Sequence, residues 1–323
     1  MFRTNVRAED VLTVGAALGL VLLLGGKSIG RINLSEANYW DFSFLLLPIA
    51  ILVLSASIRY AFRPIGEPAI REVTARTAVI LRDWSPFLVF LMLYESFLLS
   101  SWNAVAPVDK DTTLLRWDRA LFGETPSIPM DAWVRPWLTQ VMVAAYFLHL
   151  ILPPVMGLIW YRRDLLVFRQ FLLSVLVCGI VGMQGYVLMP GIGPGFAFPA
   201  LYHHPLGGGL YENITGLLDT ARAMRDVFPS LHVAISSIVL WYAWRRGRAL
   251  FLVALPLVVA NWMSTLYLRY HYMVDVCAGW LTAVVAIALA AWILRVEAAI
   301  RARVSARSAG ALRSTAPPPP SPR

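Results

Sequence analysis

Charge is scarce in this chain. Asp, Glu, Lys and Arg make up 15% of the 323 residues, against about a quarter in soluble domains, which excludes an ordinary water-facing globular surface. Cysteine is scarcer still: Cys178 and Cys277 both sit inside apolar runs, which argues against a disulfide framework. Histidine occurs only five times, so each one can be weighed separately. What the chain has in excess is apolar surface, with 58% hydrophobic residues and a mean hydropathy of +0.63.

The excess falls in runs of about 18–25 residues, the length a helix needs to cross a bilayer. The expected fold is therefore all-α, a polytopic membrane helical bundle. Eight spans are read at roughly 11–26, 40–58, 84–102, 137–161, 170–189, 229–244, 249–268 and 271–294. The first follows Arg3 and Arg7 but ends in LLLGGKSIG without a small-residue cleavage site, so it reads as an uncleaved anchor. With both termini cytoplasmic, the inner turns hold Arg162–Arg163 and Arg245–Arg246–Arg248, as the positive-inside rule requires. The net charge of +9 then reflects topology, not binding to nucleic acid. Trp84, Trp102, Trp137, Tyr161 and Trp241 near the span ends read as interfacial belts.

Two outer segments are long. Residues 103–136 contain TTLLRWDRALFG, a short surface helix ending at Gly123. Residues 190–228 open with PGIGPGFAFP, too rich in Gly and Pro to span. The tail after about residue 304 is of low complexity and expected to be disordered. The divisions are 1–83, a two-helix addition with its linker; 84–297, a six-helix core; and 298–323, a cytoplasmic tail.

His232 opens the sixth span in VFPSLHVAIS, and His271 opens the eighth in YLRYHYMVD. Two crossings return the chain to the same outer face, so residues 39 positions apart can meet there. Asp275 lies four residues after His271, within reach of its ring. A helix N-terminus offers free N–H groups and partial positive charge to a phosphate. In that setting His271 suits a nucleophile, Asp275 its orienting carboxylate and His232 a general acid. Ser230 would add a hydroxyl and an N–H to a phosphate oxygen, and Pro229 suits a first helical turn. The plainer alternatives stay open: a helix cap, a structural His–Asp pair, or two ligands of a metal whose third ligand is missing unless His203 or His204 supplies it. Glu95 and His149 lie at membrane depth, where they fit either a buried pair or a functional site. Gln184 and Asn261 read as interhelical hydrogen-bond partners.

FPSLH followed by STLYLRYHYMVD resembles the second and third signature motifs of the type 2 phosphatidic acid phosphatase superfamily. That pattern is Pro-Ser-Gly-His, then Ser-Arg, five residues, His, three residues, Asp. The detail is closer to the inositol-phosphorylceramide synthase branch, matched by Leu231, Thr265, Tyr267, His271, Tyr272 and Asp275. WDRALFG and the Gly-Ile-Gly-Pro stretch resemble that branch's outer loops, and the resemblance covers about residues 84–295.

It implies a metal-independent enzyme without cofactors that cleaves a lipid phosphate ester or phosphodiester at the extracytoplasmic face. His271 would carry the phosphoryl group, Asp275 would orient it, and His232 would be the acid. Ser230, Leu231 and Tyr267 would line the phosphate site. Acceptor alcohols such as inositol, or water, would take the phosphoryl group. A transporter that uses these groups only to bind anions is the alternative outside enzymology. Two departures stand out. Thr265 occupies the third motif's arginine position, and QGYVLMPGIGPG lacks the first motif's lysine and arginine. Arg225, Arg269 and Arg222 are the cations nearest the motifs, with lipid-anchoring or loop roles as their plainer reading.

Overall fold

The computed structural model describes residues 7–28, 75, 77–88, 90–91, 108–213, 225–245 and 247–314. Among these residues it is helical, without strands. The helices that build the core and position the site are α1 (Ala8–Ser28), α2 (Asp111–Phe122), α3 (Pro136–Tyr146), α4 (Leu148–Arg163), α5 (Leu165–Leu188), α6 (Leu231–Trp244), α7 (Arg248–Tyr267) and α8 (Met273–Ser314). Four segments are long and apolar enough to cross a membrane: 136–163 (α3 with α4), α5, α7 and 273–306 within α8. The shorter α6 is apolar throughout. The expected count of eight spans includes 40–58 and most of 84–102, which lie outside the described residues.

α5 is the hub. Two thirds of its apolar window is buried, against about a third or less for the other three, so it reads as apolar on every face. α6, α8 and α4 pack around it. The shared core includes Phe168, Leu172, Leu176, Leu231, Ile238 and Ala286. Ser174 and Tyr242 satisfy each other inside it at 3.1 Å. Both cysteines are free. Trp84, expected in an interfacial belt, instead packs against Phe168 and Tyr161. Trp137 and Trp241 do face outward. At the end away from the histidines, Arg169 bonds Glu9 of α1 and Glu297 of α8, tying the N-terminal helix to the core.

Three boundaries differ from expectation. The span read at 137–161 is broken at Phe147 into α3 and α4. Pro153 and Pro154 lie inside α4, beyond the break. The carbonyls released at the break find other donors: Asn261 donates its amide to Ala145 and Tyr146 at 3.1 and 3.0 Å, and the His149 ring donates to Tyr146 at 2.6 Å. Asn261 is thus the interhelical partner expected of it, whereas Gln184 is exposed. Glu95 lies outside the described residues, so its pairing with His149 stays an expectation. α6 begins at Leu231 with Ser230 as its N-cap, so Pro229 precedes the helix instead of opening it. α8 runs on to Ser314, past residue 304, where the low-complexity tail was placed.

Candidate active site

The two motifs meet. His271 sits in the turn between α7 and α8, His232 in the first turn of α6, and His271 Nε2 lies 3.3 Å from His232 Nδ1. Both residues are buried, at 2% and 8% exposure. His271 Nδ1 donates to the Val227 carbonyl at 3.0 Å. A carbonyl only accepts, so the proton resides on Nδ1 and the Nε2 lone pair is directed at His232.

Asp275 is close, but its main task is different. Its Oδ2 is 3.6 Å from His271 Nδ1, beyond hydrogen-bond range. It accepts instead from the Tyr272 N–H at 2.7 Å. With Tyr272 as N-cap, Asp275 is the third helical residue reaching back, as in a capping box. Asp275 Oδ1 is buried and has no partner among the described residues.

The two helix ends are not equivalent. The first N–H groups of α8, on Met273 and Val274, are taken by Asp118 of α2 at 2.9 and 2.8 Å. At α6, Ser230 caps Val233 with its hydroxyl and gives its own N–H to the Asp275 carbonyl at 3.1 Å. Ser230 therefore has no N–H to spare for a ligand. The N–H groups of Leu231 and His232 have no partner among the described residues. The α6 end is the one left with open donors. The Leu231 side chain points away into the core against Gly182, so Leu231 can serve a phosphate only through its backbone. α6 and α8 come close enough that a Cβ on Gly279 would stand 2.6 Å from the Ser230 carbonyl oxygen.

The candidate cations are occupied. Arg269 adopts φ 64°, donates to Asp131 Oδ1 at 2.5 Å and to the His204 carbonyl at 2.6 Å, and lies over the Tyr202 ring. Burial pushes its guanidinium below the usual range, against the pull of Asp131. Arg225 pairs with Asp109. Arg222 lies outside the described residues. Thr265 is fully buried and donates to the Trp262 carbonyl. Tyr267 is buried too: its hydroxyl pairs with Thr139 at 3.1 Å and accepts from the Arg135 N–H. It braces α3 instead of facing the histidines.

Three aspartates near the histidine end went unread in the sequence. Asp111 accepts from the N–H groups of Ile192 and Gly193 and from the Tyr272 hydroxyl. Asp118 caps α8, and Asp131 accepts from the N–H groups of His203 and His204 besides Arg269. Burial raises the carboxyls of Asp111 and Asp118 despite these bonds. In Asp131 the bonds and Arg269 outweigh burial and lower it. The available signal was that a charge-poor chain puts carboxylates opposite Gly-Ile-Gly-Pro, whose amides need acceptors. A Cβ at Gly193, which has φ 90°, would overlap the Tyr270 carbonyl, so this loop closes tightly over the turn bearing His271. His149 was weighed with Glu95, but its ring packs edge-on to His232 with centroids 4.1 Å apart. Tyr146 covers His232 at 4.3 Å. No cluster of three or more metal-ligating side chains is present among the described residues.

A PAP2 superfamily model matches residues 112–289, more than half of the chain and inclusive of both histidine motifs. The chain belongs to the PAP2 superfamily. Membership indicates a lipid phosphatase or phosphotransferase and fits the membrane-crossing helices. No curated protein and no solved structure matches the chain.

Proposed function

We propose that this PAP2 superfamily protein cleaves a membrane lipid phosphate ester or phosphodiester through a phosphohistidine and passes the phospho-headgroup to an alcohol, inositol being the type of acceptor. The observation that carries the reading is the buried His271–His232 pair beside the open N–H groups of α6. The 3.3 Å contact is a resting arrangement, and a substrate phosphorus entering between the rings separates them.

His271 Nε2 attacks phosphorus as the P–O bond to the leaving group breaks, and His232, entering as imidazolium, gives that oxygen its proton. The imidazolium formed on His271 keeps Nδ1–H on the Val227 carbonyl, with the Asp275 carboxylate near by. In the second half, neutral His232 takes the acceptor's proton, the acceptor oxygen attacks phosphorus, and the P–N bond breaks to restore His271. The amides of Leu231 and His232 at the positive end of α6 stabilise the phosphoryl oxygens in both steps. This cradle does the work that basic residues of the first motif do elsewhere in the resembling pattern. The site is placed on the extracytoplasmic face with both termini cytoplasmic, as the arginine-rich inner turns support.

The test is incubation of purified protein with phosphatidic acid, prenyl diphosphate and phosphatidylinositol, with and without free inositol. Expected results are a new headgroup lipid that requires an acceptor alcohol, persistence under EDTA, and loss of turnover in His271→Ala. Orthophosphate as the only product, with or without alcohol, would replace transfer by hydrolysis. Undiminished turnover in His271→Ala would sink the phosphohistidine.

A further inference from the structure

A second built site lies at the other end of the bundle. His232 and Arg245 stand at opposite ends of α6, about 20 Å apart at 1.5 Å per residue. Beside Arg245, a cavity of about 260 Å³ opens between α5, α6 and α8, with Gln170, Tyr242, Arg245 and Arg295 in its wall. A second cavity, of about 330 Å³, adjoins it and is lined by Trp244, Phe251, Trp262 and Trp280 among apolar neighbours. Trp241 and Ile287 line both. No acidic residue lines either cavity.

The arginines matter because of what they lack. At this same end Arg169 and Arg301 are neutralised by Glu9 and Glu297. Arg245 and Arg295 are in no ion pair among the described residues, and Arg245 rests over the Trp241 ring at 5.8 Å. Two guanidiniums with no ion pair among the described residues, and the Gln170 amide beside them, form a receptor for a phosphodiester anion. A contiguous wall of tryptophan and aliphatic side chains matches acyl chains. One molecule with both parts is a phospholipid, and basic pockets between membrane helices take anionic headgroups.

We propose that the adjoining cavities bind one phospholipid with an anionic headgroup, its phosphate between Arg245 and Arg295 and its chains along the tryptophan-lined cavity. It is a structural ligand and not a substrate, because the histidines lie at the far end of α6. The proposal stands whether or not the reaction proposed above is right.

The test uses full-length purified protein in detergent, with native mass spectrometry and thermal melting in the presence of phosphatidylglycerol, phosphatidylcholine or inorganic phosphate. Phosphatidylglycerol should be retained and raise the melting temperature, while the other two leave it unchanged. Arg245→Gln and Arg295→Gln should each weaken phosphatidylglycerol binding about fivefold, and Arg245→Lys should restore most of it. Both arginines are exposed, so the glutamine variants should melt like the wild type without lipid, and a lost adduct then reports binding. Equal retention of phosphatidylcholine, an equal effect of inorganic phosphate, or undiminished phosphatidylglycerol binding in the double glutamine variant would each overturn the proposal.

Discussion

The sharpest test of the site's architecture concerns Arg269 and Asp131. Arg269 stands two residues before His271, and its side chain is held by Asp131, the His204 carbonyl and the Tyr202 ring. That geometry describes a clamp on the turn carrying His271. The two side chains are 11% and 6% exposed, so removing either charge strands the other out of water, at about 3–5 kcal/mol. Since the pair lies outside the long apolar helices, Arg269→Gln should fall near the lower end, about 3 kcal/mol. At about 2–4 °C per kcal/mol in a chain of this size class, melting drops by about 6–12 °C. Asp131→Asn should cost as much or more, because the amides of His203 and His204 lose a charged acceptor. The double variant should be less damaged than the sum, by at least about 1 kcal/mol. The assay is a four-protein cycle in one detergent, reading melting temperature and steady-state kinetics. Turnover should fall in parallel in both single variants, with KM little changed. Additivity within about 0.5 kcal/mol, or a large rise in KM confined to Arg269→Gln, would refute the clamp and return Arg269 to the phosphate.

Three further outcomes rest on the same geometry. His149→Ala removes one of the two donors to the Tyr146 carbonyl and one wall of His232; turnover should drop by about tenfold or more with KM steady, and His149→Asn, which keeps a donor, should recover part of it. Gly279→Ala places a methyl group 2.6 Å from the Ser230 carbonyl; the parting of α6 from α8 should cost about 1–3 kcal/mol and most of the turnover, whereas Gly209→Ala, with open space around it, should be silent. Asp131 is held below its ordinary value of 3.8 because its hydrogen bonds and Arg269 outweigh burial. Its stabilisation is therefore complete above about pH 4 and lost as pH falls through the lowered value. The melting gap between wild type and Asp131→Asn should close as pH falls well below about 4, and a gap that persists there would contradict it.

Much of the site was legible because its chemistry is carried by short local patterns. His232 and His271 could be brought together from span counting alone, since an even number of crossings returns a chain to one face. Asp275 was placed near His271 by its spacing and lies there at 3.6 Å, while its hydrogen bond goes to the Tyr272 N–H because a helix start needs a cap. The clamping aspartates were hidden because each binds backbone amides more than 70 positions away. Nothing local marks such a partner. The break at Phe147 was masked by hydropathy, which reads α3 and α4 as one apolar stretch. Arg225 and Arg269 were weighed as free cations because a sequence shows charge but not who already neutralises it.

The length of α6 carries one more consequence. Its 14 residues measure about 21 Å, against about 30 Å of hydrocarbon. With Arg245 at the headgroups, as the proposed topology has it, the end bearing His232 would stop short of the opposite surface. The proposed bond breaking would then happen beneath the headgroup layer, and the lipid's phosphate would have to sink to meet it while its chains stay in the bilayer. Water is dilute at that depth. Under the proposed reaction, an acceptor alcohol delivered there by its own binding contacts would meet a phosphohistidine that solvent reaches slowly, so the shortness of a single helix would bias the fate of the intermediate.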